Sequence, residues 1–511
     1  KSLFIIIFLK MIIFINSYLH KKENLFSQFS PVFPPIGIGY LASISLEKNI
    51  NFKIFDQQIY HNIEKKIFNY LKSIKNNDNK NFLIFALSIV TPAFKASLKT
   101  AQFIRSNYKN AIIIAGGIHC TAAPYDLIKT ELFDFIIQGE AEESFFELYE
   151  SIINNKKNFD SIPGLIYKID NKYVNSKVKF KLIDEKNIPL FPYHLFENEK
   201  RYDISVLLSS RGCKLNCIFC SNHIISKNIV RIYSIQKVLD HIEILILKYK
   251  KNHILFLDDN FLEDENRIIE LCSSINSKGF NKICKFSFQG RCDQVNDKII
   301  SILSNSNFKT IFLGIETYSE NLLKKINKKL NTEQIRNAIN ICKNNGMNVQ
   351  ASFIYGFPEE TIDDRFKTLK FALDHDIDIA KFNNLVPYPG THLFKKYNKY
   401  VNFSPDYYNA DTLIPLTKGL FSRINLPFKT SDYEEKRILR FIYLSYFVFY
   451  FRTKSLKNIL YDSKNSIKWI YFWNYSNIFS FVFLVISITI KFLTIFLYPS
   501  KENIFYWIFK R

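Results

Sequence analysis

Short, nearly continuous apolar runs punctuate the first third of the chain: "IIFIN" (12–16), "FKIFD" (52–56), "FLIFALS" (82–88), "AIIIAGG" (111–117) and "DFIIQG" (134–139). Between them the apolar positions recur at helical spacing, as in "IGYLASISLEK" (38–48) and "SLKTAQFIRSNY" (97–108). Strands alternating with helices predict a doubly wound parallel sheet over residues 11–155. In such sheets a ligand sits beyond the carboxyl ends of the strands. Those ends carry "FPPIGIG" (33–39), Asp56, "SIVTP" (88–92), "AGGIHC" (115–120) and "QGEAEE" (138–143), where glycines allow close backbone approach to a flat or bulky ligand. Residues 156–202 read as an extended linker. A second alternating series fills 203–400, with strands at 204–210, 253–259, 285–290, 310–316, 349–356 and 380–387. Six β/α units fit a partial barrel with its active site at the C-terminal strand ends. Residues 401–511 are aromatic-rich and read as a helical C-terminal region.

Composition changes this picture little. With 511 residues, 47% hydrophobic and 16% aromatic, the chain has ample material for several cores. The net charge of +22 raises nucleic acid or an anionic membrane as a partner, but Arg supplies only 13 of the 69 basic residues and no basic block marks one face. Specific nucleic-acid binding is therefore not expected. Eight cysteines are too sparse for a disulfide scaffold, which points to a reducing, cytoplasmic compartment. The chain begins with Lys, and residues 1–10 read as an extension upstream of a first strand opened by Met11. The stretch 477–498 is about long enough to span a bilayer, although Lys491 interrupts it, so membrane association through this segment is a further expectation.

Three of the eight cysteines fall within eight positions. Cys213, Cys217 and Cys220 have C-x3-C-x2-C spacing and follow directly on the first strand of the second series. Structural zinc wants four ligands, and no good fourth is nearby. An iron–sulfur cluster on three thiolates leaves one iron open to chelate a small molecule and pass it an electron.

C-x3-C-x-aromatic-C in this position resembles the signature of radical S-adenosylmethionine enzymes. The resemblance implies that Cys213, Cys217 and Cys220 hold a 4Fe–4S cluster and that S-adenosylmethionine takes the fourth iron. Reductive cleavage would then give methionine and a 5′-deoxyadenosyl radical, with an external electron donor as partner. Phe219 matches the aromatic position near the adenine. "FLDDNF" (256–261) sits where the family contacts the methionine end, which nominates Asp258, Asp259 and Asn260, although the common Gly-Gly-Glu form is absent. "GIET" (314–317) nominates Glu316 for a ribose or substrate contact, and "FIYGFPEET" (353–361) nominates Gly356 beside the adenine. Glu359 and Glu360 suit a helix cap as well as a ligand. Arg291 offers a bidentate fork to a carboxylate, against the plainer reading of a structural ion pair.

The N-terminal region resembles the Rossmann-like cobalamin-binding domain fused ahead of many enzymes of this family. On that resemblance Gly37, Gly116, Gly117, Gly139 and Glu140 would face the corrin. The Asp-x-His-x-x-Gly motif that supplies a cobalt ligand elsewhere is missing, and His119 stands in a different context. Methylthiotransferases would carry three N-terminal cysteines, whereas this chain has only Cys120. The expected activity is methylation of an unactivated carbon, with radical cyclisation or rearrangement as the alternative and a non-catalytic iron–sulfur sensor as the alternative of another class. The aromatic C-terminal region hints at a hydrophobic small-molecule substrate.

Overall fold

The computed structural model describes residues 10–18, 32–60, 62–74, 82–170, 172–198, 201–398, 426–428 and 432–452. Strands β1 (Lys10–Asn16), β2 (Asn51–Asp56), β3 (Phe82–Ser88), β4 (Ile112–Gly116) and β5 (Phe135–Ile137) pair in parallel in the order β2-β1-β3-β4-β5. The apolar runs of β1, β3 and β4 are buried on both faces, as a sheet covered by helices requires: Ile13, Phe85 and Ile113 point to one core, Ile12, Ile84 and Ile114 to the other, while the edge strand β2 is more open. The alternating strand–helix pattern is thus realised within one to three residues at each end.

The expected linker is a correction. Within 156–202, β6 (Leu165–Ile169) and β7 (Lys172–Asn175) extend this sheet in antiparallel fashion. β6 buries Leu165, Ile166 and Tyr167 against the sheet, and Tyr173 Oη of β7 donates to the Phe133 carbonyl at 2.7 Å. The rest of the segment packs on the helix Ile36–Glu47, where Ser43 Oγ donates to the Leu190 carbonyl and Tyr40 meets Phe191 edge-on at 5.6 Å.

The second sheet has the order β15-β14-β13-β12-β11-β8 and is parallel throughout. Its strands are β8 (Val206–Leu207), β11 (His253–Phe256), β12 (Lys285–Gly290), β13 (Phe308–Glu316), β14 (Asn348–Tyr355) and β15 (Ile379–Asn384). The single strand expected at 204–210 is split: β8 ends at Leu207, and β9 (Ser210–Arg211) pairs instead with β10 (Arg231–Ile232) in a two-stranded antiparallel ribbon. On β13 and β14 the residues facing the surrounding helices, such as Leu313, Ile315, Phe353 and Tyr355, are buried, while Phe312, Gly314, Ser352 and Ile354 on the inner face are half-exposed. The barrel is therefore open along its inner face. Of the C-terminal region, the helix Asp432–Tyr450 lies against β15, with Tyr446 Oη accepting from Phe382 N–H and Tyr450 Oη donating to the Ala380 carbonyl. Residues 1–9 and the 477–498 segment lie outside the described residues; among those described, no helix is long and apolar enough to cross a membrane.

Candidate active site at the barrel mouth

The cysteine loop starts where the ribbon opens. Gly212 has φ +94°, and a Cβ there would lie 2.1 Å from the Ile229 carbonyl oxygen, so only glycine lets the two arms of the loop pass each other. Its N–H donates to Asp259 at 3.0 Å. Later elements hold the loop by its backbone: Ile218 N–H donates to the Ile326 carbonyl, Leu393 N–H to the Ile218 carbonyl, and Asn327 Nδ2 to the Asn216 carbonyl. His223 donates to the Cys220 carbonyl at 2.9 Å and stacks on His392.

Cys217 is buried, Cys213 and Cys220 are half-buried, and all three are free thiols. Burial raises the Cys213 thiol and pushes Cys220 up to about 11, while the Leu215 and Asn222 N–H groups, with Arg291 and Lys328 nearby, pull the other way. Iron would displace those protons, and the donor set fits it: soft thiolates beside two cations and two amides. Among the described residues no three ligating side chains converge as they would on a single metal ion. A cubane spaces its thiolates more widely, one to each of three irons. The other five cysteines are buried, with thiols raised mainly by burial.

Around the loop the nominated residues separate into two groups. Asp259 lines a cavity of about 460 Å³ that has Cys220 and Ser221 in its wall. Asn260 is buried, donates to Glu263 and Gln294, and keeps a carbonyl oxygen with no partner. Phe219 meets Phe357 edge-on at 5.9 Å. Gly356, at φ +101°, donates its N–H to Glu360 at 2.6 Å. Asp258 behaves differently: both carboxylate oxygens are taken by Ser209 N–H, Ser209 Oγ and Ser210 Oγ at 2.6–2.7 Å, strapping the end of β8 to the end of β11. Arg291 spends its fork on Asp293 at 3.0 and 3.2 Å and donates to the Lys328 carbonyl at 2.8 Å, which is the structural ion pair. Glu359 is exposed and pairs with Lys325 and Tyr397; burial pushes Glu360 up to about 7 beside Arg365.

Glu316 exposes what the sequence reading missed. It sits at a bulge in the β13–β14 ladder with φ +68°, a left-handed backbone rare for glutamate and typical of functional sites. Its carboxylate accepts from buried Lys328 at 2.8 Å, and Lys328 Nζ lies 5.8 Å from the Phe219 ring. Burial pulls Lys328 down, but Glu316 and the Cys217 sulfur outweigh it and hold the ammonium above its ordinary value. Lys328 hides in the lysine-rich "NKKLN"; the available signal was the alternation of buried Ile326, Lys328 and Leu330 with more open neighbours.

On the other side of the loop, a cleft of about 280 Å³ opens at the carboxyl ends of β1, β3, β4 and β5. Phe14, Ile38, Ala86, Ile114 and Ile137 floor it, and Gly37, Gly116, Gly117, Gly139 and Glu140 all line it. A Cβ on Gly37 or Gly116 would meet only open space, whereas at Gly117, with φ +105°, it would strike the Ile89 carbonyl. An apolar floor with two open glycines fits one face of a flat macrocycle. Glu140 is engaged elsewhere: burial pushes its carboxyl up, but Arg231 and Arg211 outweigh that and hold it below its ordinary range. His119 turns into the core, bonded to Thr91 at 3.0 Å and lowered to about 4 by burial, so it is neutral and absent from the cleft wall. Cleft and cavity share Glu140, Leu208, Arg211 and Ile225.

The radical SAM superfamily model matches residues 207–372. An uncharacterized methyltransferase of Pyrococcus horikoshii is 28% identical over 430 residues, covering 83% of this chain and 89% of that one. The cobalamin-dependent S-adenosylmethionine radical enzyme OxsB, with aqua-cobalamin and S-adenosylmethionine bound, superposes with a TM-score of 0.62 at 20% identity over 76% of this chain. This chain spans 56% of OxsB's length. The radical S-adenosylmethionine methyltransferase TsrM of Kitasatospora setae, with cobalamin and a [4Fe-4S] cluster bound, gives 0.63 at 13% identity over 78% of this chain and 79% of that one. At these identities the two structures establish a shared fold.

Proposed function

We propose, from the match of residues 207–372 to the radical SAM superfamily model, that this chain is a cobalamin-using enzyme that methylates an unactivated carbon of a small-molecule substrate. The observation that carries the reading is the shared wall: the glycine-floored cleft and the cavity bearing Cys220 meet at Glu140, Leu208, Arg211 and Ile225. A cluster bound on the loop supplies the electron that cleaves S-adenosylmethionine, and cobalamin in the cleft supplies the methyl group.

The chain's own residues bind and orient. Cys213, Cys217 and Cys220 provide three thiolates from one backbone-braced loop, which leaves a fourth iron for the cosubstrate. Asn260 holds an unpartnered oxygen for a donor group, and Phe219 with Phe357 forms an aromatic wall for the adenine. The Glu316–Lys328 pair places an ammonium and a carboxylate beside the sulfurs, where either can exchange its partner for a charged group of the cosubstrate. The half-exposed inner face of β13 and β14 receives the substrate, and an external one-electron donor completes the system.

Anaerobic reconstitution with iron and hydroxocobalamin, then turnover with S-adenosylmethionine and dithionite, tests the reading. Cluster and corrin absorbance together with 5′-deoxyadenosine support it. A cluster without corrin removes methyl transfer in favour of cyclisation or rearrangement. No cluster removes the proposal altogether.

A further inference from the structure

The loop carrying the three cysteines leaves and rejoins the barrel at one point. Arg211 and Arg231, opposed across the β9–β10 ribbon, stand at the two ends of residues 212–230. Both reach out to the strand end 139–142 of the N-terminal sheet. Arg231 donates to the two oxygens of Glu140 at 2.6 and 2.7 Å and to the Ile183 carbonyl at 2.8 Å. Arg211 donates to Glu142 at 2.7 Å, to Glu140 at 3.4 Å and to Tyr233 Oη at 2.8 Å, with its guanidinium 4.7 Å from the Tyr40 ring centroid. The four charged side chains are 7–13% exposed, so their geometry is set by one another rather than by water. Tyr40, Glu140, Glu142 and Arg211 face the cleft; Glu140, Arg211 and Arg231 face the cavity. One ion network is the partition between the two compartments and the mooring of the cluster loop.

We infer that this clamp couples the two sites: occupancy of the cleft and assembly of the cluster bias each other through Arg211 and Arg231, which act as positioning residues. The inference rests on the cobalamin reading of the cleft. A macrocycle against Tyr40 and Glu142 fixes the guanidinium of Arg211, and with it the ribbon from which Cys213 is two residues away. Conversely, a cluster that gathers three thiolates fixes the ribbon and orders the cleft wall in advance. Linkage makes the effect reciprocal. A tie that only stabilised the fold would leave each binding constant independent of the other.

The test is a linkage measurement on the full chain that does not use turnover. Hydroxocobalamin affinity is measured by absorbance titration on anaerobic protein before and after iron–sulfide reconstitution, and the electron paramagnetic resonance spectrum of the reduced cluster is recorded with and without hydroxocobalamin. In wild type, affinity rises about fivefold or more with the cluster in place, and the resonance shifts on corrin addition. In Arg211→Gln both effects disappear while each cofactor still binds. If Arg211→Gln does not fold, Glu142→Gln, which keeps shape and removes one charge on the N-terminal side, gives the same result. Equal affinities in wild type with corrin bound overturn the inference alone, as does coupling that survives in the variants. Absence of corrin absorbance in wild type overturns the functional reading on which it stands.

Discussion

On the N-terminal side of the clamp the walls are Phe14, Ile38, Ala86, Ile114 and Ile137; on the barrel side they are Ser210, Cys220, Asn222, Arg231 and Asp259. The first compartment recognises by shape, with open space over two glycines and an apolar floor. The second also carries charge, but its two arginines are already paired: Arg231 with Glu140, and Arg211 with Glu142. A ligand entering the first displaces water from apolar surface. A ligand entering the second exchanges partners with groups that would be costly to leave alone. Two neighbouring sites thus differ in most of their lining while meeting at Glu140, Leu208, Arg211 and Ile225.

The sharpest way to break this comparison is Cys217→Ala. It should abolish the iron–sulfur absorbance and all S-adenosylmethionine cleavage while leaving corrin absorbance in place; joint loss of both cofactors would mean that the compartments are not separate. Next is Lys328→Met, which strands the buried Glu316 carboxylate. It should cost about 3–5 kcal/mol in denaturant unfolding, and Lys328→Met/Glu316→Met should recover most of that while cleavage stays lost.

Acid tests whether the two sides loosen together. Burial depresses His119, behind the cleft, and His241, in the barrel wall, from 6.5 to about 4. The unfolded chain therefore takes up these protons first. Stability is complete above pH 6.5 and falls as pH drops toward 4, by on the order of 2–3 kcal/mol per histidine; His241→Leu should flatten the barrel's share in urea titrations at pH 5 and 7. The smallest effect belongs to Gly116→Val, whose side chain enters empty space. It should weaken hydroxocobalamin binding about tenfold, roughly 1.4 kcal/mol, with no change in cluster content.

Much of this was legible in the chain. Apolar runs such as "FLIFALS" and "KFSFQG" became strands with the expected ends, and most of their described positions are buried in a core. Cys213, Cys217 and Cys220 could be read because their spacing is local. What stayed hidden depends on partners far away in sequence. Glu140 looked like a ligand contact until Arg231, 91 residues on, was found holding it. Asp258 and Asp259 are adjacent and chemically identical, yet beyond the end of β11 the backbone turns one into a strap and leaves the other on the cavity wall. β6 and β7 were missed because five and four residues carry too few alternations to stand out from a proline-flanked segment.

The split of the first barrel strand has a practical corollary for anyone dissecting the molecule. β8 contributes two residues to the edge of its sheet, and the ribbon beyond it is tied to carboxylates on the other sheet. A fragment cut at residue 203 would expose that edge and leave Arg211 and Arg231 with no counter-ions, so the barrel is not a portable module. Chimeras that exchange the N-terminal region should keep residues 139–142 with the barrel's own ribbon, because ion pairs between the two bind them to each other.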